Sequence, residues 1–380
     1  MSKRLIAAML LSTTLLTACT GKSDTTKQPE PSTPPTEQTT TPKPNPEPAP
    51  QPAPEPPKPV VKKAPTPVRG FTVSGWYAGS PDLVWPLLDW AKTAGLNTII
   101  LDLKAEDGLL SWESDVPQAK AFGANEKKVG NLEEFVKEAH KRGFWVGGRI
   151  VTFNDKMAYK AKPEWRIPGF EGQGYAFIDP KNEDAWAYNI AIAKEAVAKG
   201  VDEIQFDYVR YPEKWIDGYN RDTTFEYRVG NITNFLKKAY SELKPLGVVV
   251  GADLFGLTTS VAQGDDMKIG QDYKTVIEAV DYVAAMAYPS HYDQGTYGID
   301  NPNAHPYETV KASLQKALER TPGVPMEKHR PWIQDFTLGG VHYGPDEVFG
   351  QVKALRELGI QNFMLWDPQN KYNRAVNYNQ

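Results

Sequence analysis

Cysteine is almost missing from this sequence. Cys19 is the only one in 380 residues, which excludes a disulfide framework and a cysteine-ligated zinc site. Histidine is scarce as well. The five, His140, His291, His305, His329 and His342, show no H-x-H, H-x-x-x-H or H-E-x-x-H spacing, so no metal site is expected. There is no G-x-S-x-G elbow and no phosphate-binding glycine turn after an early strand, and no cofactor is expected. An excess of positive charge is missing too. With 43 basic against 47 acidic side chains, a net charge of −4 and a pI near 5.9, the chain offers no electrostatic case for nucleic acid.

Apolar residues are nearly absent from Thr20 to about Pro67, where the chain runs P-K-P-N-P-E-P-A-P-Q-P-A-P-E-P-P-K-P. Such a tract cannot bury a core, and it is expected to be a disordered, polyproline-like spacer. Before it, Lys3 and Arg4 precede an apolar stretch, Leu5–Leu16, too short to cross a bilayer comfortably, which reads as an export leader. Leu16-Thr17-Ala18-Cys19 resembles the lipobox of bacterial lipoproteins. That resemblance implies cleavage before Cys19, acylation of Cys19 and attachment of an exported protein to a membrane. The expected organisation is a leader over residues 1–18, a spacer over 19–67 and one folded domain over 68–380.

From Val68 onward a period appears: an apolar strand, a loop, an amphipathic helix, then a glycine that restarts a strand. The restart recurs at Gly95, Gly143, Gly200, Gly247 and Gly359, each where a helix would end in a left-handed turn. The pattern predicts strands over Gly70–Tyr77, Asn97–Lys104, Phe144–Thr152, Asp202–Tyr208, Val248–Asp253, Asp281–Ala287, Pro331–Phe336 and Gln361–Trp366. Helical patterns separate them, for example over Pro81–Thr93, Glu183–Ala198 and Thr223–Leu243. Eight strands alternating with helices over roughly 300 residues point to an α/β fold, a (β/α)8 TIM barrel. Long connections, Ala105–Asn131, Phe153–Asn182 and Tyr288–Pro306, all follow strands. A site at the C-terminal mouth of the barrel is therefore expected.

What gathers at that mouth is acids and aromatics. The stretch Val201–Pro212, V-D-E-I-Q-F-D-Y-V-R-Y-P, ends a strand by presenting Asp207, Tyr208 and Arg210. Read structurally, Asp207 and Arg210 would be an ion pair at a loop root. Asp102, Asp253, Asp335 and Asp367 fall at the ends of four other strands, and Trp76, Tyr288 and Trp366 sit near the same rim. Buried acids are costly without partners or a task. Glycosidic bonds are broken with one carboxylic acid and one carboxylate, and aromatic faces stack on pyranose rings. His291, after the sixth strand, is a candidate contact to a sugar hydroxyl.

The motifs G-F-T-V-S-G-W-Y (70–77), N-T-I-I-L-D-L-K (97–104), D-E-I-Q-F-D-Y-V-R-Y-P (202–212), G-A-D-L-F-G (251–256), M-A-Y-P-S-H-Y (286–292), W-I-Q-D-F (332–336) and M-L-W-D-P (364–368) resemble a bacterial family described as glycoside hydrolases, with a barrel related to the α-amylase type. The resemblance implies Asp207 as nucleophile, Asp253 as general acid and Asp335 as a third, transition-state-stabilising acid. Two departures stand out. Asp253 is found where amylase-type enzymes have Glu, and Gln205 where they have an Arg two residues before the nucleophile. Arg210, after the acid, is the expected substitute for that charge-orienting role. A chitinase-type strand four, D-G-x-D-x-D-x-E, is similar only in part, because Val209 replaces the catalytic Glu. Substrate contacts are expected from Trp76, Asp102, Tyr208, Arg210, Tyr288, His291, Trp366 and Asp367. The reading is hydrolysis of a cell-surface or environmental polysaccharide or oligosaccharide. The alternatives are a carbohydrate-binding lipoprotein without turnover and a cell-wall scaffold acting through its spacer.

Overall fold

The computed structural model describes residues 63–167, 176–213 and 222–379. The expected leader, Cys19 and the expected spacer as far as residue 62 lie outside the described residues. Among the described residues ten strands are formed: β1 (Arg69–Val73), β2 (Thr98–Lys104), β3 (Leu110–Trp112), β4 (Asn125–Gly130), β5 (Trp145–Val151), β6 (Glu203–Asp207), β7 (Val249–Phe255), β8 (Tyr282–Met286), β9 (Trp332–Gln334) and β10 (Phe363–Trp366). Eight of them, β1, β2, β5, β6, β7, β8, β9 and β10, pair in parallel and close on themselves through β1 and β2. This is the expected (β/α)8 barrel.

Helices fill the connections because each has a start and a stop in the sequence. Asn131, Asn182, Thr224 and Asp272 accept from backbone N–H groups of the first helical turn over Leu132–Lys141, Glu183–Ala198, Phe225–Leu243 and Tyr273–Ala279. Gly95 ends the helix Pro81–Ala94 at φ 93°, the left-handed conformation that glycine adopts without strain. Between strands and helices lies one continuous apolar layer, to which β6 contributes Ile204 and Phe206.

The other face of β6 looks into the barrel. Glu203, Gln205 and Asp207 alternate there and mark three interior layers. In the lowest, Arg330 donates to both carboxylate oxygens of Glu203 at 2.8 and 3.0 Å, and the Tyr282 hydroxyl and Trp145 Nε1 donate at 3.0 and 2.9 Å. Above it, Ile100, Ala284, Trp332 and Met364 pack with Tyr282. Gly251 leaves room for that tyrosine, since a Cβ there would stand 2.1 Å from its ring. Gly251→Ala is expected to cost about 1–3 kcal/mol by overpacking. The urea midpoint reads this directly.

Two expected boundaries are corrected. The strand foreseen over Gly70–Tyr77 stops at Val73. Ser74 then accepts from the Tyr77 N–H and caps a single helical turn over Gly75–Ala78, a local bond that outcompetes the strand ladder. The loop foreseen over Ala105–Asn131 contains β3, a short helix over Pro117–Phe122 and β4, which extend the sheet outside the ring through an antiparallel β2–β3 contact. These pieces are too short for hydrophobic periodicity to register.

Candidate active site

At the C-terminal mouth the central group is Arg149, from β5. Its guanidinium donates to Asp207 Oδ2 through Nε at 2.9 Å and lies 2.6 Å from the same oxygen through Nη2. Nη1 donates to Asp102 Oδ1 at 2.9 Å, and Nη2 to Glu106 Oε1 at 2.7 Å. The guanidinium carbon stands 5.1 Å from the centre of the Trp366 ring. Burial alone would favour losing the proton, but three carboxylates outweigh it and hold Arg149 firmly protonated. The same cation draws the Glu106 carboxyl below its ordinary range. Asp102 responds the other way: burial raises it, and Arg149 only partly offsets this.

The guanidinium bonded to Asp207 thus comes from Arg149 and not from Arg210. The structural alternative, an Asp207–Arg210 ion pair at the loop root, is not the pair that forms. Tyr208 explains why. It adopts φ 50°, an uncommon conformation for a bulky residue, and this turn brings its N–H to Asp207 Oδ1 at 2.6 Å. Beyond the turn, Arg210 lies among Phe177, Tyr208 and Phe255, 4.5–5.2 Å from the ring centres. It donates to the Tyr211 carbonyl and to Glu213.

Asp253, on β7, neighbours this cluster but is handled differently. Trp332 Nε1 and Gln205 Nε2 donate to its Oδ1 at 2.8 and 2.5 Å, while its buried Oδ2 bonds nothing. Burial, reinforced by the negative charge of Asp207, pushes this carboxyl well above the usual range. Both effects favour the protonated form, and Oδ2 is the oxygen without a hydrogen-bond partner among the described residues. The Tyr288 hydroxyl feels both Asp253 and Asp207 and, foremost by burial, is kept protonated.

Two hollows open at this mouth. The first, of about 440 Å³, is walled by Tyr208, Arg210, Phe255, Tyr288 and His291. The second, of about 630 Å³, is walled by His291, Asp335, Phe336, Trp366, Asp367 and Lys371. Asp335 belongs to this second hollow, and among the described residues it makes no bond to the Arg149 cluster; Asn373 donates to it through both its backbone N–H and its side-chain amide. Asp367 accepts from the backbone N–H groups of Gln369 and Lys371 at 2.7 and 3.0 Å, so it shapes the turn after β10. Trp76, 64% exposed, lies with Lys128 Nζ 5.6 Å from its ring and walls neither hollow.

Burial raises the Asp335 carboxyl to about 7, with the Asn373 bonds opposing and the Asp367 charge adding a little. A folded-state value above the unfolded one means that the native protein binds the extra proton. The associated stability is present below about pH 4 and is lost as pH rises through about 7. Asp335→Asn is expected to remove this slope and to gain stability relative to the parent at pH 8 but not at pH 4. Urea denaturation at the two pH values checks it.

Arg149 and Glu106 are the residues that sequence reasoning missed. The signal was there: a lone Arg in V-G-G-R-I-V, a strand buried at every position, requires partners.

A family model described as "Putative glycosyl hydrolase domain" matches residues 70–372. No curated protein matches the sequence. Among solved structures, the glycoside hydrolase domain of PgaB (BpsB) from Bordetella bronchiseptica is 16% identical, over 82% of this chain and 99% of its own, with a TM-score of 0.61. The catalytic domain of a β-amylase from Paenibacillus polymyxa is 11% identical over 81% of this chain and 94% of its own, with a TM-score of 0.50. These two share the fold. A hypothetical protein from Ruminiclostridium thermocellum is 34% identical over 48% of this chain and 96% of its own, with a TM-score of 0.44.

Proposed function

Given that the chain belongs to the glycosyl hydrolase family whose model spans residues 70–372, we propose that it hydrolyses a polysaccharide or oligosaccharide at the barrel mouth. The observation that carries this reading is a pair of carboxyls in opposed settings on adjacent strands: Asp207 gripped by a guanidinium, Asp253 buried against an indole and an amide with no cation bonded to it. Environments that separate two neighbouring acids in this way supply an acid and a nucleophile or base. Asp253 gives its proton to the leaving glycosidic oxygen as the bond to the anomeric carbon breaks. Asp207 either attacks that carbon or takes a proton from the water that does. Arg149 holds Asp207 in place, and Asp102 shares the same cation. Tyr288, His291 and Trp366 contact the sugar.

A second reading, carbohydrate binding without turnover, is favoured by one observation. Asp253 is only 1% exposed, so a substrate oxygen reaches it only after neighbouring side chains move. Reducing-end release from a panel of glycans separates the two. Cleavage supports the hydrolase, whereas binding with no cleavage by the parent protein supports the binder. Proton NMR of the fresh product distinguishes nucleophile from base: inversion assigns Asp207 as base, and retention on a sugar without a 2-acetamido group assigns it as nucleophile.

We also propose export and anchoring through an acylated Cys19, on the strength of Lys3, Arg4, the apolar Leu5–Leu16 run and L-T-A-C. In bacterial cells, Cys19→Ala is expected to abolish incorporation of labelled palmitate and to move the protein out of the membrane fraction. Retention of label in the variant would refute the anchor.

A further inference from the structure

We propose that the substrate is a glycan chain lying across the mouth, with sugars held on both sides of the cleaved bond, so that cleavage occurs inside chains and not at their ends. This rests on the hydrolase reading above and names the kind of substrate that site takes.

The position of the reacting centre carries the inference. On one side, Tyr208 bonds Asp207 through its N–H and gives its side chain to the first hollow. On the other, Trp366 lies against the Arg149 guanidinium and gives its ring to the second. Arg149 and Asp207, bonded to each other, thus touch one wall residue of each hollow. A site that trims chain ends is closed beyond the terminal sugar, whereas here a hollow opens beside each of these two wall residues.

The two spaces also share a wall. His291 walls both, with Tyr288 of the first hollow 5.4 Å from its ring centre and Phe336 of the second 6.1 Å from it, each edge to face. Each volume, about 440 and 630 Å³, is by itself in the range that encloses a small ligand. One sugar would leave most of this space unfilled. The linings differ in chemistry. The first hollow is aromatic around Arg210 and suits stacking, and the second offers Asp367, Lys371 and Asn373 to hydroxyl groups.

The test uses chito-, malto- and cello-oligosaccharide ladders from dimer to octamer, with calorimetry on Asp207→Asn and product analysis on the parent protein. The ladder that binds is expected to gain on the order of tenfold or more in affinity from dimer to hexamer and then to level off. Lys371→Ala and Phe336→Ala, each combined with Asp207→Asn, are expected to remove most of that gain. The parent protein should shorten the matching polymer rapidly, giving mid-length fragments early. Affinity independent of length, or early release of only mono- or disaccharide from otherwise full-length polymer, leaves the hydrolase standing and overturns internal cleavage. Failure of all three ladders to bind, with no cleavage of their polymers, overturns both.

Discussion

Asp207→Asn is expected to lower kcat/KM for glycan hydrolysis by about a thousandfold or more while leaving the fold intact. The substitution keeps shape and removes charge. An amide oxygen still accepts from the Tyr208 N–H or from Arg149, and Arg149 retains Asp102 and Glu106 as counter-charges. What is lost is the negative charge that attacks the anomeric carbon or activates water, and groups in that role contribute factors of about 10²–10⁴ or more. An unchanged urea midpoint together with retained oligosaccharide binding would assign the loss to chemistry. Residual activity above about a tenth of the parent's would remove Asp207 from the mechanism, because no charge-dependent step survives so well.

The second large effect is expected at Arg149. Arg149→Met leaves the buried Asp207 and the half-buried Asp102 without their cation. Removing one member of such a buried cluster costs about 3–5 kcal/mol, since the remaining charges are left uncompensated. Carboxyls that lose their cation take up protons more readily in the folded state. The deficit should therefore be largest at neutral pH and shrink as pH falls, which denaturation at pH 7 and pH 4 would show. Turnover should fall with it. Arg149→Lys supplies the control: an ammonium restores charge but cannot present the planar fork that now serves three carboxylates. Recovery of stability without recovery of kcat is the expected split. If Lys restored both, the geometry of the fork would be irrelevant and Arg149 would be only a counter-ion.

Which parts of this site were readable in advance follows from distance along the chain. Asp102, Asp207 and Asp253 were visible because each closes an apolar run, and a polar residue at a strand end is conspicuous. Arg149 was harder, since its partners lie 47, 43 and 58 positions away in the chain, at Asp102, Glu106 and Asp207. Arg210 looked better placed on sequence because it is near Asp207. The left-handed backbone at Tyr208 separates them, and no composition or period announces that turn. Asp335 illustrates the same limit: its strand end was legible, but its place in the second hollow depends on Asn373, 38 positions later.

By itself the sequence determined the repeating strand–helix order, the closed barrel that this order implies and the mouth at which its acids gather. Periodicity and glycine turns are local, and eight parallel strands have few ways to bury both faces. Only the tertiary structure decided which acid meets which base. Pairing across a barrel depends on register and side-chain direction, and those are set by strands whose neighbours in space are remote in sequence.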